Sequence, residues 1–135
     1  MYKKGSSFNV LYCKDVNVTH YFYKEIGAEV LELSDDKVVV QLGDFEFHFC
    51  NENTEPFVEY QYLTNFEKRG QGTLFYVEVN DISQAFSIVS EISYLRDNIS
   101  THKIITGTKK NHWGGKEFLV EDPDGYKLVF WALTN

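Results

Sequence analysis

In Phe45-Glu46-Phe47-His48-Phe49 a carboxylate and an imidazole stand two residues apart among three phenylalanines. On a strand, alternation would carry Glu46 and His48 to one face and the rings to the other. The pair could supply donors to a divalent cation or polar contacts to a bound molecule. It could equally be a solvent-facing pair on a strand edge whose rings fill the core. Two donors on one strand make a poor metal site alone, because a zinc- or manganese-type ion needs several N or O donors converging within about 2.0–2.3 Å. Trp113 precedes Gly114-Gly115, whose missing side chains would let backbone or ligand approach the indole. It reads either as a ligand contact or as a loop anchor folded onto the core. His112 beside it reads as part of a ligand wall or as a loop residue, and His20 and His102 read as solvated.

Nucleophilic chemistry has little support. No Gly-x-Ser-x-Gly occurs, no glycine loop opens a helix to hold phosphate, and Gly114-Gly115 opens a strand instead. Cys13 and Cys50 lie in apolar strands with no matched histidine in sequence. They form no CxxC pair and no dense secreted-type framework, so both are expected to be reduced and buried. No catalytic residue and no cofactor is assigned.

The elements that position these residues repeat. Residues 8–13 read as a strand, and from Asp15 the apolar residues Val18, Phe22 and Ile26 recur every four as on one helix face, ending at Gly27. Strands follow at 28–33, 37–42 and 45–50, separated by the turn chemistries Ser34-Asp35-Asp36 and Gly43-Asp44. The same βαβββ order returns. A strand at 74–79 leads to Asp81, which caps a helix striped by Ile82, Ala85, Phe86, Val89 and Ile92, with Gln84 at capping-box spacing. Strands around 103–106, at 117–121 and at 126–131 complete the second unit, the last two joined by Asp122-Pro123-Asp124-Gly125, a turn in which proline presets φ and glycine takes the positive φ. The reading is one domain over 1–135, with module one at about 7–50, a connector at 51–72 and module two at about 73–132. The connector carries Phe57, Tyr60, Tyr62, Leu63 and Phe66, more apolar surface than a flexible tether needs. A helix covers only one face of each module's sheet, so two modules together can enclose a cleft.

Composition agrees with a folded binding domain. Aromatics make up 16% of 135 residues, with 11 Phe and 9 Tyr. That is enough ring area for a core and for part of a cleft wall. A net charge of -7 disfavours nucleic acid and anionic lipid and tolerates cationic partners. No stretch of 18 apolar residues occurs, and no apolar run of signal-peptide length follows the amino terminus, so a cytoplasmic protein off the membrane is expected.

The strand-to-helix corners Cys13-Lys14-Asp15-Val16 and Val79-Asn80-Asp81-Ile82, the Gly-Asp hairpin before Phe45, and the ending Trp113-Gly114-Gly115-Lys116-Glu117-Phe118 through Asp122-Pro123-Asp124-Gly125 resemble the vicinal oxygen chelate superfamily, also called the glyoxalase/bleomycin-resistance family. The ending is most similar to its bleomycin-resistance branch. The resemblance implies an α+β fold of paired βαβββ modules forming a curved mixed sheet around a cleft. It also implies a homodimer with the cleft between subunits, and in the family's enzymes a divalent metal on inward His, Gln or Glu. By strand alternation Phe75, Val77 and Val79 go under the second helix, leaving Leu74, Tyr76 and Glu78 toward the cleft. The family's ligand positions then fall on Phe8, Leu74 and Val129, which offer no donor atom; Glu46 alone matches the apolar-Glu-apolar pattern, with His48 beside it. Tyr12, Tyr76 and Glu78 share the face of Phe8 and Leu74, an aromatic wall with a carboxylate rim to which Glu117 adds a second, unless Glu117 simply faces solvent. The reading is a small-molecule-binding protein of the bleomycin-resistance type, sequestering a cationic or aromatic ligand without a metal. The alternative is a metal-dependent glyoxalase- or dioxygenase-like enzyme with relocated ligands such as Glu46, His48 and His112 or Glu117.

Overall fold

A computed structural model of the chain describes residues 1–54, 68–92 and 102–133. The connector aromatics from Phe57 to Phe66 lie outside the described residues. Module one runs β1 (Asn9–Cys13), α1 (Val16–Glu25), β2 (Glu29–Leu33), β3 (Lys37–Leu42) and β4 (Phe45–Asn51). Module two runs β5 (Leu74–Glu78), α2 (Ile82–Glu91), β6 (Lys103–Ile104), β7 (Lys109–Lys110), β8 (Gly115–Glu121) and β9 (Lys127–Leu133). The fold is α+β, and the modules share one plan. The first strand pairs parallel with the last, β1 with β4 and β5 with β9, and the remaining neighbours are antiparallel. Sheet orders are β1-β4-β3-β2 and β5-β9-β8-β6, with β7 also pairing β8.

Local chemistry explains the helix starts. Asp15 and Asp81 both sit in extended backbone, and their carboxylates accept from Asn17 and Val18 N–H and from Gln84 N–H respectively, satisfying donors that the first turn leaves orphaned. The buried stripe of α1 is Val16, Thr19, Phe22 and Tyr23, rotated from the expected Val18-Phe22-Ile26 line. Thr19 and Tyr23 go inside because their hydroxyls find carboxylates there, at 3.3 Å from Asp124 and 2.8 Å from Asp122. Residues 105 and 106 continue past β6 as single backbone bonds to Leu119 rather than as strand.

One core joins the modules. Phe47, Phe49, Val38 and Val40 from module one pack in the same cluster as Phe75, Val77, Phe118 and Leu128 from module two, and Phe47 meets Phe75 edge-on at 4.9 Å. Each sheet therefore spends its helix-side face on the shared core and turns its other face away from it. The two open faces belong to separate sheets. Among the described residues no helix is long and apolar enough to cross a membrane. Cys13 and Cys50 are free and buried, and burial pushes their thiols up to about 12 and about 11, far from a reactive thiolate.

Candidate functional site

The open face of module two is set by the β8–β9 hairpin. The Asp122 carboxylate accepts from Asp124 and Tyr126 N–H, each at 2.9 Å, and Gly125 takes φ +98°, which closes the turn and pins the register. In that register Trp131 lies between Glu117 on β8 and Glu78 on β5, and Val129 lies between Leu119 and Tyr76. A slip of one residue would turn this whole set into the core. Trp113 reaches the face from the loop before β8, its ring centroid 5.3 Å from Trp131 and 5.5 Å from Tyr76. Asn111 holds the loop: its side-chain oxygen accepts from Trp113 N–H at 3.2 Å and from Gly115 N–H at 2.8 Å.

The two glycines after Trp113 serve the backbone rather than a ligand. Gly114 takes φ +86° in the turn, and a Cβ on Gly115 would stand 2.5 Å from the Ala132 carbonyl oxygen on β9. Asn111 was missed in sequence, although an Asn four residues ahead of a glycine that opens a strand is a turn signal. Trp113 remains 42% exposed and Tyr76 38%, so the three rings form a half-open aromatic cluster with Glu78 exposed and Glu117 half-buried beside Trp131. Leu74 is exposed one row farther along. Val129 is 1% exposed and offers a ligand almost no surface. His112 is exposed and meets Trp113 edge-on at 6.0 Å.

The open face of module one is built differently. Phe8, just ahead of β1, stacks on the His48 imidazole at 3.9 Å with planes 19° apart, and His48 Nε2 lies 2.8 Å from Glu46 Oε2. Which of the two ring nitrogens carries a proton follows from that bond and the ring's charge state. Tyr12 lies on this face but is buried, and its backbone is gripped by the Tyr126 hydroxyl, which accepts from Tyr12 N–H at 3.0 Å and donates to Tyr12 C=O at 2.8 Å. The expected site residues thus fall into two groups: Phe8, Tyr12, Glu46 and His48 on one sheet, and Leu74, Tyr76, Glu78, Trp113, Glu117 and Val129 with the other. Within the chain the two groups are not brought together.

The metal of the family's enzymes does not fit these donors. Phe8, Leu74 and Val129 are hydrocarbon, Glu46 and His48 are engaged with each other, and His112 and Glu117 belong to the other sheet. Among the described residues no three His, Cys, Asp or Glu side chains converge. His102, expected in solvent, is half-buried with its ring 5.6 Å from Phe22, and burial lowers its pKa. A crevice of about 320 Å³ lies elsewhere, between the β3–β4 hairpin and the β5–α2 corner, walled by Leu42, Val77, Ile88 and Phe130. Asp81, on its wall, caps α2, and Glu78, Asn80 and Gln84 also line it.

No protein-family model and no curated protein matches the sequence. Solved structures do match in shape. A hypothetical protein, SA1046 from S. aureus, superposes with a TM-score of 0.72 at 17% identity, covering 97% of this chain and 95% of the other. A glyoxalase/bleomycin resistance protein/dioxygenase family enzyme from Burkholderia phytofirmans PsJN gives 0.75 at 11% identity over 95% and 98%. A bleomycin resistance determinant encoded on transposon Tn5 gives 0.65 at 16% identity over 98% and 100%. Together with the paired βαβββ plan, these likenesses give the chain the glyoxalase/bleomycin-resistance fold, that of the vicinal oxygen chelate superfamily.

Proposed function

We propose that this protein binds and sequesters a small cationic or aromatic molecule, without metal-dependent catalysis, in a cleft that two copies of the chain complete. The carrying observation is the ring cluster Tyr76, Trp113 and Trp131 with Glu78 and Glu117 on either side of Trp131. Ring faces attract a cation by roughly 0.5–2 kcal/mol each, and the exposed Glu78 and half-buried Glu117 carboxylates add charge pairing. The net charge of -7 keeps the surrounding field favourable to such a ligand. The separation of the two open faces onto different sheets supports a homodimer, whose isologous contacts would bring the Phe8–His48–Glu46 wall of each chain opposite the ring wall of the other.

Isothermal titration of the purified protein with a bleomycin-type glycopeptide and with a simple aromatic cation tests the reading, alongside sedimentation to count chains. Saturable binding at one ligand per ring cluster, weakened at least about ten-fold in Trp113→Ala, is the expected result. An unchanged affinity in that variant rejects the site, and a monomer that binds with full affinity rejects the shared cleft.

A further inference from the structure

The two carboxylates beside Trp131 stand in different company. Across the open face of module two the register aligns Glu78 on β5, Trp131 on β9, Glu117 on β8 and Lys109 on β7 in one row. Residues directly opposed in an antiparallel pair share a face, with Cβ atoms about 4.5–5.5 Å apart, so the Lys109 ammonium can screen Glu117 from the next strand. Glu78 has no such neighbour. β5 stands at the end of its sheet order, and the residues around Glu78 on that face are Tyr76 along the strand and Val129, Trp131 and Leu133 on β9, all uncharged. Neither carboxylate is in an ion pair among the described residues, so the lysine is what separates them.

The surface beside Glu78 is apolar and open. Leu133 lies two residues past Trp131 on the same face and is 65% exposed, and the half-open rings of Tyr76 and Trp113 continue that surface.

We propose that Glu78 selects the ligand of this site, a molecule with one positive charge, a protonated or alkylated ammonium, on an apolar or aromatic body. The ammonium sits over Trp131 at its Glu78 edge, and the body covers the exposed rings and Leu133. This rests on the sequestration reading and narrows it. A neutral aromatic guest would take water from the Glu78 carboxylate and return no partner, a cost that a cation offsets. A second positive charge on the far side of Trp131 would meet Lys109, so one uncompensated carboxylate calls for one cation.

Isothermal titration with benzyltrimethylammonium and with neutral benzyl alcohol tests this in wild type, Glu78→Gln and Glu117→Gln. Wild type is expected to bind the ammonium at least about ten-fold more tightly than the alcohol. Glu78→Gln should cost the ammonium about ten-fold and the alcohol less than about two-fold, while Glu117→Gln should cost the ammonium about two-fold or less. Glu78 is exposed, so an unmoved urea midpoint will show that its variant is folded. Glu78→Asp, which keeps the charge, should recover part of the loss. Lys109→Gln should raise ammonium affinity about two- to five-fold by releasing Glu117, and adding Glu117→Gln should cancel the gain. Equal losses in the two Gln variants overturn the assignment of Glu78. Ammonium binding that falls in Trp113→Ala but not in Glu78→Gln also overturns it and leaves sequestration standing, whereas no saturable binding of either probe defeats both.

Discussion

The two open sheet faces descend from one plan and carry different chemistry. In both modules the first strand lies parallel to the last and the same alternation decides which side chains leave the core. Module two fills its outward positions with Tyr76 and Trp131, adds Trp113 from an Asn111-braced loop, and sets a carboxylate on each side. Module one has Val10 and Cys50 at the positions that match Tyr76 and Trp131, with Val39 and His48 beside them, and on that face Phe8 stacks on His48. The first surface can bind by area and charge. The second offers one mutually hydrogen-bonded polar pair under a ring, better suited to closing over a guest than to capturing it. Topology fixes where a binding wall stands, while side chains at a handful of registers decide whether it binds.

Substitutions can break this contrast, and the largest effect is expected at its foundation. Gly115→Ala places a methyl against the Ala132 carbonyl, so the β8–β9 pairing must shift; a loss of about 2–3 kcal/mol in urea unfolding is expected, with binding lost as the ring wall distorts. Trp113→Ala comes next. It should reduce affinity for an aromatic cation about ten-fold by titration while moving the urea midpoint little, since the ring is 42% exposed and lies outside the core.

Phe8→Ala sharpens the comparison from the other side. Phe8 is 52% exposed, and its loss should cost affinity only about two- to five-fold, the share of a lid rather than of a platform. A ten-fold loss there, equal to that of Trp113, would make the faces equivalent and defeat the distinction. Glu46→Gln should change least. The amide can still bond His48, and the pair is part-exposed, so stability should stay within about 0.5 kcal/mol and affinity within about two-fold, by urea unfolding and titration.

Several site features were legible residue by residue. The Glu46-x-His48 spacing announces a shared face, Asp15 and Asp81 announce their caps, and the Asp122-Pro123-Asp124-Gly125 turn announces the hairpin that sets the Trp131 row. Other parts were hidden for physical reasons. Asp122 reads locally as a turn former, yet its carboxylate also binds Tyr23, 99 positions away. Tyr126 reads as the start of a strand, and its hydroxyl serves a backbone 114 positions distant. His102 and the short β7 carry no periodic signal, because a two-residue strand shows no alternation and a lone histidine shows no face.

Local chemistry written in the chain was enough to determine the two βαβββ units, their caps and turns, and which side of each strand is greasy, because those depend on neighbours within a few residues. Tertiary structure alone decided that the modules share their helix-side core, and that at the seam Arg69 pairs with both Asp124 and Glu52. Such outcomes depend on contacts between residues about a hundred positions apart. Their energies come from burial and from the mutual field of charges, which exist only once the chain has closed on itself.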